Sequence, residues 1–325
     1  MTVTQTARQR KRAGKEMPGT KRGSVQSTKW ESYKLFLLVL PCLVLVFIFH
    51  YLPLWGWSYS LFQYKPGLSL SKCKFVGFDN FKALFGNAIM RQNLVRVLKN
   101  TLGIQAINYL LMPVPMLFAI FLSEVRSKRF QKVVQTLTTL PHFISWIIMF
   151  SLASSLFGTS GLVNGLLKEA GVGYTVNFLT SSSHVWLTQA LLNLWKSMGW
   201  NAIIYFAAIA GLDQEVYEAA MVDGASRWQK IRYITIPLLT PTFFVLLIMN
   251  IGNFLNSGVD QFLAFGNALN KDFIEVLDLY VYNLGIGSGQ ISFSVAVGIM
   301  KSVVAIILFA GANFASKKIR GTSVF

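Results

Sequence analysis

The chain has 325 residues, 53% of them hydrophobic and 13% charged, with a mean hydropathy of +0.49. Soluble domains carry about 25% charged residues, so the composition argues against a water-soluble globular enzyme and for an integral membrane protein. The formal charge of +17 would suit a nucleic-acid binder, but the basic residues collect in tails and connecting loops rather than on one folded face, so nucleic acid is not expected as a partner.

Residues 1–34 hold nine Lys and Arg against Glu16 and Glu31, with Gly, Ser, Thr and Gln between them. Such a segment cannot bury a core and is expected to be a disordered basic tail. A basic tail before an apolar run resembles a signal peptide. Here the tail is long, the run exceeds a signal core, and no small-residue cleavage site follows, so an uncleaved first span is expected.

A hydrocarbon core about 30 Å thick takes about 20 residues of helix. Six segments meet that length: 35–60, 101–123, 133–157, 185–212, 236–262 and 291–316. Helices are expected because lipid leaves no partner for an open backbone. The fold class is therefore all-α integral membrane with six transmembrane helices. Pro41, Pro53, Pro113, Pro115 and Pro141 predict local kinks.

Lys and Arg placement orients the spans. With the N-terminus inside, segments 1–34, 124–132, 213–235 and 317–325 hold 19 of the 30 basic residues. External loops 61–100, 158–184 and 263–290 hold nine, seven of them in the first loop, where they are spread over forty residues. Both termini are thus expected to be cytoplasmic. The organisation is a tail over 1–34, a six-span domain over 35–316 and a basic cytoplasmic C-terminus over 317–325. Cys42 lies in a span and Cys73 in a loop, so a disulfide is not expected, and no spacing suggests a metal.

The cytoplasmic loop 213–235, between spans four and five, has internal order. Asp213 can cap a helix over 215–222, and Asp223-Gly224 can stop it. Ser226 with Gln229 fits a capping box for a second helix, and Pro237 predicts a break before the next span. Read from the residues alone, this is equally an amphipathic loop resting on lipid headgroups. Ala219 and Ala220 keep the first helix thin enough for close approach by a partner.

The stretch "EAAMVDGASRWQKIRYITIP", residues 218–237, resembles the EAA loop of ATP-binding-cassette importer permeases. That pattern is EAA, three residues, Gly, nine residues, then Ile-x-Leu-Pro; Ile236 alone departs from it. "FVGFDNF" (75–81), "KNTL" (99–102) and "GLVNGLL" (161–167) are similar to permeases of the carbohydrate, maltose-transporter class, in its lipoprotein-linked polysaccharide and oligosaccharide branch. The resemblance covers about residues 35–316. It implies a coupling helix seated in a cytoplasmic ATPase, with Glu218, Ala219, Ala220, Asp223, Gly224, Ile234 and Pro237 as coupling residues. It implies two ATPase subunits that bind ATP and Mg²⁺, a second homologous permease, an extracytoplasmic sugar-binding protein, and residence in the bacterial cytoplasmic membrane. No cofactor is expected on this chain.

Nothing in the sequence forms a catalytic set. There is no GxxxxGK[ST] phosphate loop, no HExxH and no GxSxG with partners. His50, His142 and His184 are isolated, and His142 at a span entrance reads as structural or pore-lining.

Polar groups inside spans tend to face a bundle interior or an aqueous path. On a continuous helix Asn250, Asn253, Ser257, Asp260 and Gln261 fall within about 100° of one another, while Asn256 lies off that stripe. Gln189, Asn193, Lys196 and Trp200 share a face of span four, and Ser294 and Lys301 one side of span six. These eleven residues are the expected substrate path: amides and hydroxyls for sugar hydroxyls, Trp for ring stacking, and two lysines for acidic sugars such as uronates. The alternatives are interhelical glue, snorkelling lysines and a Lys196–Asp260 ion pair. The functional expectation is the permease subunit of an importer for oligosaccharides, acidic ones possible. An ion-coupled secondary transporter is the alternative, for which a docking loop has no use and repeated halves are lacking.

Overall fold

The computed structural model describes residues 29–320, with side chains described for 33–311, 313 and 314. The expected disordered tail therefore lies outside the described residues up to 28, and so do 321–325. Helix α1 (Lys29–Val46) already includes residues 29–34, which were expected in that tail. It passes into a π turn over Phe47–Tyr51 and a 3₁₀ stretch over Leu52–Leu61. The wider turn lets Leu52 N–H reach the carbonyl of Phe47 just before Pro53, whose ring would crowd an ordinary α turn. The chain divides after Trp55 into a small N-terminal unit and a large second one.

The second unit opens with a two-stranded antiparallel ribbon, β1 (Phe62–Gln63) and β2 (Lys74–Phe75). Then follow α2 (Asp79–Gly86), α3 (Ala88–Leu111), α4 (Pro113–Ser123), α5 (Lys128–Thr139), α6 (Trp146–Phe157), α7 (Leu162–Glu169) and α8 (Val185–Ala210). After these come α9 (Gln214–Val222), α10 (Arg227–Lys230), α11 (Ile236–Ile251), α12 (Asp260–Phe265), α13 (Lys271–Ile274), α14 (Leu277–Tyr282) and α15 (Ile291–Arg320).

Among the described residues, five helical runs are long and apolar enough to cross a membrane: Tyr33–Leu61, Ala88–Ser123, Trp146–Glu169, Arg227–Ile251 and Ile291–Gly311. Helix α8, with 26 residues, would extend about 39 Å. It has the length but is too polar for that criterion, because Gln189, Asn193, Lys196, Ser197 and Asn201 interrupt it.

Helix α8 forms the centre of the unit, packed against α3, α4 and α5. Buried Ala202 and Tyr205 of α8 join Met116, Ala119 and Ile120 of α4, Leu239 of α11 and Ile231 in one apolar cluster. Leu192 joins Ile104, Ala153, Phe262, Phe265 and Ile274 in another. Where α8 meets α5 the backbones touch: a Cβ on Gly199 would lie 2.3 Å from the carbonyl of Thr138, so no side chain fits there.

Four expected segments are drawn differently. Span two starts earlier, at Ala88, and is interrupted at Met112 ahead of Pro113. Span three is not continuous: α5 ends in a 3₁₀ turn over Leu140–Phe143, and Ser145 caps a fresh helix at Trp146. Span five ends at Ile251 and turns through 252–259 before α12. The last helix runs past 316 into the expected basic C-terminus. Pro237, conversely, makes no break. A π turn over Ile231–Thr235, with Ile236 N–H bonded to the carbonyl of Ile231, carries the helix through it.

Three flanking motifs share one device, a buried asparagine that clasps a loop. Asn80 donates to the carbonyls of Ser60 and Phe62 at 2.7 and 3.2 Å. Asn100 donates to Asp272 and Glu275 carbonyls at 2.8 and 3.0 Å and accepts from Trp186. Asn164 donates to Gly158 and Val176 carbonyls and accepts from Val176 N–H. An amide satisfies donors and acceptors together, which loop backbone needs when buried.

Candidate functional site

A cavity of about 310 Å³ opens between α3, α8, α11 and the turn 252–259. Its polar lining is made of carboxamides: Gln105 and Asn108 of α3, Asn193 and Asn201 of α8, Asn250 of α11, then Asn253, Asn256 and Gln261. Tyr109, Ser197 and Ser257 add hydroxyls, and Pro115, Leu246 and Phe262 add apolar surface. No described residue in the lining carries a formal charge.

The amides are linked across the elements. Asn193 donates to Asn108 at 3.4 Å, Asn108 to Gln105 at 2.9 Å, and Gln105 to the Ser257 hydroxyl at 3.3 Å. Asn256 donates to Asn253 at 3.1 Å. A carboxamide has two donors and two acceptor lone pairs, so each keeps capacity for a ligand after one such bond. The arrangement can exchange hydrogen bonds with hydroxyl-rich molecules, and its lining includes no carboxylate, ammonium or imidazole.

Of the eleven residues expected on the path, the cavity gathers Asn193, Asn250, Asn253, Ser257 and Gln261. They do so through a turn and not as a helical stripe, because the helix stops at Ile251. Gln189 stands behind, its carbonyl and side-chain oxygen accepting from Gln261 at 2.8 and 2.9 Å. Trp200 stacks on His142 with ring centres 4.4 Å apart and does not line the cavity. Ser294 donates to the carbonyl of Val281. Asp260 is exposed in the first turn of α12, outside the lining.

Both lysines are engaged elsewhere. Lys196 donates to the carbonyls of Pro141 at 3.0 Å, His142 at 2.9 Å and Ile144, and lies 5.3 Å from the Trp146 ring centre. The Lys196–Asp260 ion pair is thus replaced by a lysine that caps the break between α5 and α6, where a 3₁₀ end leaves carbonyls unpaired. Lys301 forms an ion pair with Asp278 of α14.

The loop 213–235 is a helix, a tight turn and a helix. Asp213 accepts from Glu215 N–H at 2.9 Å. Gly224 takes φ +76, and the turn closes with Gly224 N–H to Met221 and Ala225 N–H to Ala220, the paired bonds of a Schellman stop. Ser226 and Gln229 complete a capping box. Glu218, Ala219, Asp223 and Gly224 are exposed, together with Met221, Val222 and Trp228. Ile234 is half-buried and Pro237 exposed. Below, Ile231 plugs into the core, and the Tyr217 hydroxyl meets the buried Thr235 hydroxyl at 2.9 Å.

A family model described as "Binding-protein-dependent transport system inner membrane component" matches residues 112–321. The chain belongs to this family. It is 38% identical over 304 residues to Protein LplB of Bacillus subtilis (strain 168), covering 93% of each chain. To the polygalacturonan/rhamnogalacturonan transport system permease protein YteP of the same organism it is 39% identical over 286 residues, 87% of this chain and 88% of that one. A solved bacterial alginate ABC transporter, in complex with an alginate pentasaccharide-bound periplasmic protein, contains a chain with a TM-score of 0.79 and 34% identity, covering 90% of this chain and 97% of that one.

The chain is a multi-pass inner-membrane transport component, and its structure holds a polar cavity and an exposed, capped helix–turn–helix loop. Sequence reasoning missed Gln105, Asn108, Tyr109 and Asn201 in the cavity and left Asn256 off its stripe. Gln105 and Asn108, three apart in the second span, carried the same intramembrane-polar signal that pointed to α8.

Proposed function

We propose that this permease forms half of the translocation path of an ATP-driven importer for oligosaccharides, uronate-containing ones among them. In this reading α8 is the fourth of six spans, masked by its polar cavity face, and both termini are cytoplasmic. The domain over 35–316 is flanked by basic segments 1–34 and 317–325. Helix α9, with Glu218, Ala219, Ala220, Asp223 and Gly224, is the coupling helix, and Ile234 and Pro237 join it to α11. A second homologous permease completes the path. Two cytoplasmic subunits bind ATP and Mg²⁺ and hydrolyse the nucleotide, and an extracytoplasmic binding protein delivers the sugar.

The observation that carries the reading is the loop: a nine-residue helix with a cap at each end, exposed on its Glu218 face and bonded to the foot of α11. A surface that rests on lipid has no need of a rigid, thin, alanine-faced helix. The uncharged cavity supports oligosaccharides as a class, since hydroxyls are common to neutral and acidic sugars. The relatives named for polygalacturonan and alginate transport support including acidic ones.

The test is retention of a cytoplasmic sugar-importer ATPase on the purified permease pair, wild type beside Glu218→Lys and Gly224→Asp. Retention by wild type and loss by both variants, at equal membrane levels, is expected. Equal retention by all three would make the loop a mere surface and reopen an ion-coupled carrier.

A further inference from the structure

The turn 252–259 supplies Asn253, Asn256 and Ser257 to the cavity, and its first part is closed by backbone bonds from Asn253, Phe254 and Asn256 N–H to the carbonyls three residues back. Its far end, at Ser257 and Gly258, is held by Asp278. One carboxylate oxygen accepts from Ser257 N–H at 2.8 Å and from Gly258 N–H at 3.0 Å. The other oxygen pairs with Lys301 of α15. Both side chains of the pair are only 15% exposed. A buried pair with one partner removed leaves a charge with nothing to balance it, so loss of either partner alone disturbs this geometry.

Asp278 is itself anchored. The first amide of α14, Leu277 N–H, donates to the buried Thr101 hydroxyl at 2.8 Å. Asn100 beside it holds the carbonyls of Asp272 and Glu275, and Arg96 one turn earlier pairs with Asp272 and Glu275. Helix α3, whose Gln105 already meets the Ser257 hydroxyl across the cavity, is thereby tied to the turn by a second route, through the Asp278 carboxylate. A second cavity of about 310 Å³, bordered by Asp278, Lys301 and Ser302, shares Asn256 with the first. The turn is the partition between them.

We propose that Asp278 and Lys301 are positioning residues for transport: a strut that sets the turn 252–259, and through it Asn253, Asn256 and Ser257, against the sugar. The role in sugar affinity rests on the proposed function, while the strut itself does not. Lys301 acts through Asp278 on the turn and does not meet the sugar.

Two readouts separate these levels. In a background of Cys42→Ala and Cys73→Ser, Asn256→Cys is labelled with a maleimide in membranes, with and without Asp278→Asn, Lys301→Met and both together. Each single change is expected to alter the labelling rate by about tenfold, since it strands a buried charge. The double variant keeps neutrality and an amide acceptor for the turn, and is expected to return to within about threefold of the parent. In the complete importer the single variants are expected to raise the apparent KM for sugar uptake by a similar factor at unchanged membrane levels and ATPase retention. Labelling within about twofold in every variant, or a double variant no better than the singles, overturns the strut. Altered labelling with an unchanged KM keeps the strut but removes its role in binding. A wild-type complex that takes up no sugar refutes the proposed function and leaves the labelling result standing.

Discussion

Replacing Lys196 by Met takes away the cation that closes the break between α5 and α6. Three carbonyls lose the ammonium, Pro141, His142 and Ile144, of which Pro141 still accepts from Ile144 N–H. A hydrogen bond to a charged group contributes about 1.5–3 kcal/mol, but three bonds to one ammonium share a single desolvation cost, so the sum is lower than three separate terms. Methionine keeps most of the stem volume, so the cavity contribution is small. The net loss is about 2–4 kcal/mol, because half-buried carbonyls lose a charged donor but no charge is stranded. At about 2–4 °C per kcal/mol for a unit of this size, the solubilised importer should lose its monodisperse peak about 10 °C earlier in a heating series. The ratio of uronate to neutral oligosaccharide uptake should stay unchanged, because the ammonium faces the break and not the cavity. A variant as heat-resistant as wild type, with selective loss of uronate uptake, would refute the assignment and return Lys196 to the path.

Tyr217→Phe removes one hydroxyl from the contact with Thr235, at 2.9 Å, a loss of about 1 kcal/mol. The ATPase should still co-purify, while sugar uptake per ATP hydrolysed should fall; an unchanged ratio would show that the contact does not transmit motion from α9 to α11. Gly199→Ala forces a methyl against the Thr138 backbone, where the approach would be 2.3 Å, and should cost about 1–3 kcal/mol by overpacking. Gly298→Ala, with open space at its Cβ, is the matched control, and equal heat resistance of the two variants would contradict the close packing of α8 on α5.

Local chemistry was the most legible layer. Asp213, Gly224, Ser226 and Gln229 each act within a few residues of sequence, so their roles follow from residue type and spacing. The clasping roles of Asn100 and Thr101 were not legible, because their partners lie 172 to 176 residues away. Four residues of the polar stripe on span five line the cavity, but by another geometry than the one expected. The stripe's periodicity assumed a continuous helix, whereas the chain turns at Gly252 and runs through Gly258, which takes φ +77. Pro237 was misjudged in the other direction. Proline cannot donate and crowds the carbonyl four residues back, but one wide π turn removes the clash without ending the helix, and no residue pattern announces it. Lys196 and Lys301 were assigned by charge and depth alone, and depth does not say which way a lysine reaches.

Where the lysines reach has a consequence for transport. A cation left unpaired near the midplane is costly, so it is spent on the nearest strong acceptors, here the carbonyls of a helix break and the carboxylate of Asp278. A carboxamide carries no charge and satisfies itself with one or two neighbours, as Asn193, Asn108 and Gln105 do in sequence. It can exchange those neighbours for a ligand at little net gain or loss, since one hydrogen bond replaces another. A wall of such groups recognises hydroxyls without holding them tightly. A path must admit its substrate and then release it, so binding at any one point must stay modest. The cavity therefore has the chemistry of passage, and the strong interactions of this chain are placed around it, at the breaks in its helices.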